Sequence, residues 1–278
     1  PDGWVGRFQA LKSSVETINV NPSLSYKLRE GFSIGAGIDY QHMKADLTNA
    51  QNFGVGEGMT RMSGDDAAWG FNLGALMDVG ASSRIGVSYR SSINFKLTGT
   101  TTVTDPTGAI LLSAPAEADL KTPDSLSVSY FNRIDEHWDV MADLTRTGWS
   151  SFQELRIVNS QTGAPLSVTP ENWNNTWRVA LGASHHYNAQ WTARIGVAYD
   201  QTPVTDANRT ACIPDGNRRE IAFGGQFKAD KDSAWDLAYS HVFVSHASIS
   251  NNYDPSLGAP STATVGQLVG TYDNRVDI

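Results

Sequence analysis

The sequence contains a single cysteine, Cys212, and few charged residues, which make up only 18% of its 278 residues. One cysteine cannot build an internal disulfide framework or a cysteine-based zinc site. The sequence also lacks any run near the ~20 consecutive apolar residues that a membrane-spanning helix needs. We therefore expect neither a disulfide-stapled domain nor a helical membrane protein, whereas membrane strands need only ~10 alternating residues.

Charge and hydrophobicity narrow the class further. The formal net charge of −8 argues against a nucleic-acid partner, which requires clustered Lys and Arg. Hydrophobic residues make up 40% of the chain, which is a low fraction for a protein whose strands have an apolar core on both of their faces. Both values suit strands with one face on an apolar medium and the other on water. The first ten residues, PDGWVGRFQA, lack the features of a signal peptide, so we expect a mature protein or a fragment.

Alternation of apolar and polar residues is the strongest pattern in the chain. It is clearest on either side of a very short polar turn, in TWRVALGASHHY and WTARIGVAYD. Period-two alternation predicts β-strands with one apolar face. The same pattern predicts strands at 15–28, 32–44, 69–79, 84–99, 123–134, 138–158, 219–228 and 234–247, with a last arm that ends at the C-terminus. Pro22 within the first range is an objection, because proline cannot donate to a strand ladder.

The connections between these strands alternate in length. Short turns are predicted near 29–31, 80–83, 135–137, 188–190 and 229–233, and long loops at 45–68, 100–119, 159–172, 201–217 and 250–262. Consecutive antiparallel strands then carry all short turns at one end, as outer-membrane barrels do. We predict an all-β fold: a transmembrane antiparallel up-and-down β-barrel, one domain over 1–278, with about 11 strands. The alternative, a soluble β-sandwich or β-helix, usually has strands half as long.

A barrel of this kind has a polar inner face. Its predicted charged lining is Arg90, Lys96, Asp139, Asp143, Arg178, Arg194 and Asp200. Four arginines admit two interpretations: they hold a ligand head group or a plug, or they pair with nearby aspartates. We favour ion pairs of Arg178, Arg194, Arg209 and Arg218 with Asp139, Asp143, Asp200 and Asp215, since charges inside barrels commonly pair.

Catalytic and metal-binding motifs are missing. The sequence has no G-x-S-x-G elbow and no H-E-x-x-H helix motif. His185 and His186 fall on opposite faces of one strand and cannot chelate a metal together. Asp65 and Asp66 could bind a divalent cation, but solvated acids are the favoured interpretation. We predict no enzyme activity, no cofactor and no metal.

Several segments together resemble a known family. The most specific is DQTPVTDANRTACIPDGNR at 200–218; the others are GRFQALKSSVETINVNPSLSYKL, WGFNLGALMDV, RIGVSYRSSINFKLTG, TGWSSFQELRI and the ending GTYDNRVDI. They resemble the long-chain fatty acid transporters of the Gram-negative outer membrane, the FadL type, which includes aromatic-hydrocarbon channels. The resemblance implies a 14-stranded barrel with an N-terminal hatch, an extracellular landing groove, an inner pocket and a lateral exit. It also implies that about eleven strands are present and that the hatch, the first strands and the end of the last strand are absent.

The resemblance directs attention to apolar residues in two predicted loops. The candidate ligand-binding residues are Leu47, Phe53, Val55, Met59, Arg61, Met62, Ile110, Leu111 and Leu112. Packing of the loops against their neighbours is the competing interpretation. The family's head-group cations do not map cleanly onto basic residues here, so a charged fatty acid is less secure than a neutral hydrophobic ligand.

The predicted function is uptake of hydrophobic molecules, most readily long-chain fatty acids, by passive diffusion across the bacterial outer membrane. A general diffusion porin, a hydrocarbon-specific channel and a non-conducting structural barrel are the alternatives. The expected partners are a fatty acid or other hydrophobic small molecule and the outer-membrane lipid and lipopolysaccharide. We expect a monomer that binds no nucleic acid.

Overall fold

The computed structural model describes residues 3–272 and 275–277, and nearly all of them lie in antiparallel strands. The strands are β1 (Lys12–Val20), β2 (Ser23–Arg29), β3 (Phe32–Asn52), β4 (Glu57–Val79), β5 (Ser83–Arg90), β6 (Asn94–Thr104), β7 (Ile110–Lys121), β8 (Ser125–Arg133), β9 (Trp138–Thr147), β10 (Glu154–Asn159), β11 (Pro165–Pro170), β12 (Thr176–His186), β13 (Trp191–Asp200), β14 (Arg218–Lys228), β15 (Ala234–Val244), β16 (Ala247–Asn251), β17 (Tyr253–Asp254), β18 (Ala259–Pro260), β19 (Leu268–Tyr272) and β20 (Arg275–Asp277). The helical elements are α1 (Thr262–Val265) and two 3-10 turns, Trp149–Ser151 and Asp206–Asn208. Among the described residues no helix has the length and apolarity to cross a membrane.

Most strands form one continuous wall. Its order is β1 and β2 end to end along β3, then β4, β5, β8, β9, β12, β13, β14, β15 and β20. With β1 and β2 counted as one position, the described wall has eleven positions, which confirms the predicted number and the up-and-down connectivity. All five predicted short turns lie at one end of this wall. Asp273, Asn274 and Ile278 of the family-like ending lie outside the described residues.

The outer face of the wall is apolar and exposed. In β12, Val179 and Leu181 expose 44% and 56% of their surface, while Arg178 and Ala180, which alternate with them, point to the opposite face. Exposed aromatic rings flank this belt at both ends: Trp138, Trp191 and Trp235 near the short turns, and Tyr40, Trp69, Trp177 and Tyr199 at the other end. An apolar belt between two aromatic girdles is the outer surface of a transmembrane barrel.

Two strands continue well beyond the second girdle. The rings of Tyr40 and Trp69 lie 4.8 Å apart, and β3 and β4 stay paired from there to a turn at 53–56. These 12 further residues of β3 reach about 40 Å at roughly 3.3 Å per residue. The predicted loop at 45–68 is therefore wrong. Its scattered glycines had obscured the alternation, and Gly58 is needed because a Cβ there would lie 1.9 Å from the Thr104 carbonyl oxygen.

A branch of the same sheet starts at this projecting part of β4. β5 pairs with the lower half of β4, the half next to the short turns. β6 pairs with the upper half, which projects beyond the second girdle, and β7, β10 and β11 follow in order. We call the upper halves of β3 and β4 together with β6, β7, β10 and β11 the extension. The predicted loops at 100–119 and 159–172 are wrong, because these residues form the end of β6, most of β7, the last residue of β10 and all of β11.

The predicted continuous strand at 84–99 is interrupted. Residues 91–93 leave the ladder: the Phe71 amide donates to Ser91 Oγ and the Ile93 amide donates to Thr122 Oγ1, both at 2.9 Å. The interruption reverses the faces, so that Phe95 and Leu97 become buried. The range 15–28 is similarly divided at Asn21–Pro22, as the missing amide of proline predicts.

Candidate hydrophobic ligand site

The extension encloses a cavity of about 540 Å³ outside the apolar belt. Its walls come from β1, β3, β4, β6, β7, β10 and β11. The loop 201–217 and the segment 247–265 cover it, and we call them the roof. Two clusters support the walls: Met43, Ile93, Phe95 and Leu97 form one, and Ala116, Ala118 and Ile157 the other. A largely apolar cavity of this size can hold a small hydrophobic molecule.

Three of the predicted ligand-binding residues line the cavity, namely Leu47, Met62 and Leu112. The other six do not: Phe53, Val55, Met59, Arg61, Ile110 and Leu111. Alternation explains why Met59, Arg61 and Leu111 do not line the cavity, because neighbouring residues of a strand point to opposite faces. Phe53 and Val55 lie in the turn between β3 and β4, and Ile110 is the first residue of β7. Arg61 points away and donates to Asp46 at 2.9 Å, so it is not a head-group cation of this cavity.

Sequence reasoning missed much of the lining. Ala116 and Ala118 point into the cavity from β7, and Phe152, Leu155, Ile157 and Leu166 approach from the region of β10 and β11. The signal that could have found β7 is the alternation of small and charged residues in APAEADL, which predicts a strand with one buried face. The roof residues Ala211 and Ile213 come from the loop whose motif carried the family resemblance.

The cavity has little positive charge. Among its described lining residues Lys12 is the one basic side chain, and its Nζ lies 3.6 Å from Asp46 Oδ2. On the acidic side, Asp254 accepts hydrogen bonds from the Ser256 amide and hydroxyl, at 2.8 and 2.5 Å. Glu171 carries no ion pair in the described part of the chain.

Glu171 is the unusual group of the wall. It is only 4% exposed, and one carboxyl oxygen accepts from Trp173 Nε1 at 2.9 Å. Burial raises the pKa of Glu171 from 4.5 to about 7, and the Trp173 bond opposes that rise only in part. The folded protein thus keeps a proton that the unfolded chain releases. Stability is expected to fall as the pH rises from about 4.5 through about 7.

Backbone geometry fixes Glu171 in place. The amides of Glu171 and Asn172 both donate to the Gln153 carbonyl oxygen, at 2.8 and 2.9 Å. Asn172 has a φ of 47°, the left-handed region that asparagine tolerates better than most residues. Trp173 then packs edge-on against Trp149 and Phe152.

This turn gives a stability prediction. Asn172→Val should lower the free energy of unfolding by about 1–2 kcal/mol, because a β-branched residue is strained at positive φ. Asn172→Gly should change it by less than about 0.5 kcal/mol. Urea titration of the folded barrel in detergent measures both. Equal losses in the two variants would contradict the proposed cause.

Cys212 also lines the cavity. Burial raises the pKa of its thiol, with a hydrogen bond from Ser13 opposing and the charge of Glu171 adding to the rise. The residue as a whole is exposed and lines the same cavity as Glu171, so a reagent can reach the thiol and a bound molecule can shield it.

The polar face of the wall carries paired charges. Arg218 pairs with Asp200 at 3.1 Å and with Asp215, as predicted. The partners of other arginines differ from the prediction: Arg178 contacts Glu220 at 3.3 Å, Arg194 contacts Asp236 at 2.8 Å, and Arg209 contacts Asp206. Asp139 instead binds Arg133 and His186, and Asp143 accepts from the Ser129 hydroxyl. Except for Asp206, these partners lie on strands one or two positions away in the wall, and the order of residues along the chain does not reveal which side chains meet there.

Two predicted lining charges have distinct environments. Arg90 donates to Asp39 at 2.8 Å, and Asp39 is completely buried and also accepts from Asn72. Lys96 lies on the other face from Arg90 because of the interruption at 91–93, and it pairs with Glu117 at 3.3 Å. Placing Lys96 beside Arg90 on one strand face was therefore wrong.

Comparison with known proteins adds independent findings. A family model described as "Outer membrane protein transport protein (OMPP1/FadL/TodX)" matches residues 1–277. The chain is 27% identical over 271 residues to the long-chain fatty acid transport protein of Salmonella typhi. That alignment covers 87% of this chain and 62% of the relative, so the chain spans less than two thirds of the relative's length.

Solved structures agree with the fold. A Pseudomonas aeruginosa FadL homologue superposes with a TM-score of 0.88 at 27% identity, covering 98% of this chain and 68% of the homologue. The Ralstonia pickettii toluene transporter TbuX superposes at 0.64 with 21% identity, covering 83% and 63%. At that identity the second likeness supports the fold alone.

Proposed function

From the finding that this chain belongs to the OMPP1/FadL/TodX family of outer membrane transport proteins, we propose that it takes up small hydrophobic molecules. The family is one of transport proteins, in agreement with the prediction that the chain is not an enzyme. The observation that carries the proposal is the 540 Å³ cavity, whose largely apolar walls lie outside the membrane belt. An apolar cavity there can capture a hydrophobic molecule that arrives from water.

The proposed route leads from this cavity toward the barrel interior. We assign the paired charges Arg90, Asp139, Asp143, Arg178, Arg194 and Asp200 to the interior lining, since the opposite face of the wall is the apolar belt. Leu47, Met62 and Leu112 are the proposed ligand contacts. A lateral exit, as the family resemblance implies, stays a prediction.

Long-chain fatty acids are the first candidate cargo, because the Salmonella typhi relative is named for them. Aromatic or aliphatic hydrocarbons are the second. A general diffusion porin is the competing function, and a wide water-filled interior would be its requirement.

Uptake by cells tests the proposal. The full-length gene, expressed in a strain that lacks its own hydrophobe channels, should restore uptake of oleate, of toluene or of dodecanol. Liposomes that contain the protein should swell slowly in sugar solutions. Brisk sugar passage without hydrophobe uptake would favour a porin and reject the proposal.

A further inference from the structure

The cavity is poorly suited to an anionic ligand. A buried carboxylate requires one or two cations or several donors for its oxygens. The one basic lining residue, Lys12, already lies near Asp46, and the nearby Arg209 pairs with Asp206 and donates to the carbonyl oxygens of Asp215 and Ser248. A fatty carboxylate in the cavity would lack a free cationic partner among the described lining residues.

Glu171 is the second feature of the cavity that affects which ligand head group can bind. Its carboxyl group is buried at the wall, and in the described part of the chain Trp173 Nε1 is its side-chain hydrogen-bond donor. The carboxyl therefore retains hydrogen-bonding capacity toward the cavity. Two hydroxyls of the wall, Thr101 Oγ1 and Thr210 Oγ1, are buried without a hydrogen-bond partner in the described structure, so the cavity also has neutral polar groups to offer.

We propose that the cavity prefers uncharged hydrophobic molecules that carry a hydroxyl group over fatty carboxylates, and that Glu171 sets this preference. The inference rests on the proposed function, since it concerns the cargo of the same cavity. It names a ligand class that the family membership does not supply: an aliphatic alcohol or a phenol.

The chemistry of the two head groups explains the preference. A hydroxyl both donates and accepts, so it can bind Glu171 whether the carboxyl group is protonated or not. A carboxylate can only accept, so it requires the protonated form and is repelled by the ionised one. Carboxylate binding should therefore weaken as the pH rises, whereas alcohol binding should not change.

Other titratable groups face the same cavity. They are Lys12 from β1, Glu117 from β7, Cys212 from the roof loop, and Tyr253 and Asp254 from β17. Glu117 pairs with Lys96, and hydrogen bonds to Ser256 hold the pKa of Asp254 below its usual range although burial opposes them. Glu171 is thus the group whose pKa of about 7 falls in the pH range of interest.

The test compares two probes with the same chain length, 1-dodecanol and laurate. The full-length protein is kept in amphipol, and the rate at which N-ethylmaleimide alkylates Cys212 is measured with increasing probe. Each rate is divided by the rate of the same variant without probe, which removes effects on the thiol itself. A Cys212→Ser variant supplies the background.

At pH 8 dodecanol should protect Cys212 at a concentration at least ~10-fold lower than laurate, a preference worth one factor of ten in affinity. Between pH 6 and 8 the laurate concentration for half protection should rise, by up to about tenfold per pH unit above about 7. Dodecanol protection should stay constant. The small protonated fraction of laurate also falls over this range, so the change is assigned to Glu171 by comparison with the Glu171→Gln variant.

Glu171→Gln should remove the pH dependence and reduce the preference to less than about threefold, because the amide cannot ionise. Glu154→Gln is the matched control: Glu154 pairs with Arg156 at 2.7 Å outside the cavity, and its variant should behave as the wild type. Laurate protection equal to that of dodecanol at pH 8, or a pH profile unchanged by Glu171→Gln, would overturn the inference. Protection by neither probe would instead reject the proposed function of the cavity.

Discussion

Arg90→Met should destabilise the barrel by about 3 kcal/mol, because it leaves a buried carboxylate without its cation. Asp39 is fully buried, and Arg90 donates to it at 2.8 Å. The remaining partner, Asn72 at 3.3 Å, is a neutral and longer donor. Arg90 is itself half-exposed, so the estimate lies at the low end for a broken buried pair. The unfolding midpoint in urea, read from the heat-modifiable band on a gel, measures the loss.

A neighbouring ion pair supplies the control. Arg84 lies on the same strand and donates to Asp78 at 2.7 Å, but both side chains are well exposed. Arg84→Met should therefore cost less than about 1 kcal/mol. The double variant Asp39→Asn with Arg90→Met should recover much of the stability, because the uncompensated charge is gone. A double variant as unstable as Arg90→Met would show that the arginine acts through packing instead.

Met62→Glu should weaken binding of hydrophobic molecules by at least 30-fold, or about 2 kcal/mol. Met62 lines the cavity and packs against the cluster of Ala116, Ala118 and Ile157. A bound ligand would cover the new carboxylate and strip its water, which is costly without a partner. Protection of Cys212 by dodecanol at pH 8 reads the change directly.

The same strand offers a matched control for this variant. Met59 is three residues away, is 40% exposed and does not line the cavity. Met59→Glu adds the same charge to the same strand and should leave binding within about twofold of the wild type. Similar losses in both variants would indicate a general effect of charge on the extension and would argue against the cavity as the binding site.

The strands of the wall could be predicted from sequence because the alternation within each strand shows which of its faces is apolar and which is polar. In 177–184 and 191–200 every second side chain lies on the apolar outer face and the others lie on the opposite face, so the period is visible without knowledge of neighbouring strands. The short turns are equally local. Both features depend on residues within one hairpin, and both are confirmed.

The extension was missed for a physical reason. Apolar side chains at 85, 87 and 89 lie on the outer face of the wall, whereas Phe95 and Leu97 are buried in the protein interior, yet all keep the same period. An apolar residue is compatible with either medium, so the sequence cannot reveal the change of faces at 91–93. That change depends on bonds to Phe71 and Thr122, which are distant in the chain.

Glu171 was missed because its setting is assembled from distant segments. The cavity that it faces draws on residues from Phe8 to Val265. A glutamate between a proline and an asparagine reads as an ordinary loop residue, and only burial by the roof gives it its altered acidity. Leu47, Met62 and Leu112 were found because apolar residues in a polar setting are visible locally, but their exposed neighbours were found with them.

The branching of β4 separates two kinds of constraint in one chain. The half of β4 that pairs with β5 belongs to the wall with the apolar outer face. The half that pairs with β6 belongs to the extension and forms part of the cavity wall. Changes in cavity shape can therefore accumulate without altering the surface that inserts into the membrane. The extension is a natural unit of exchange: transplanting residues 41–68, 91–124 and 148–175 between relatives should transfer ligand preference while the recipient's assembly into the outer membrane is retained.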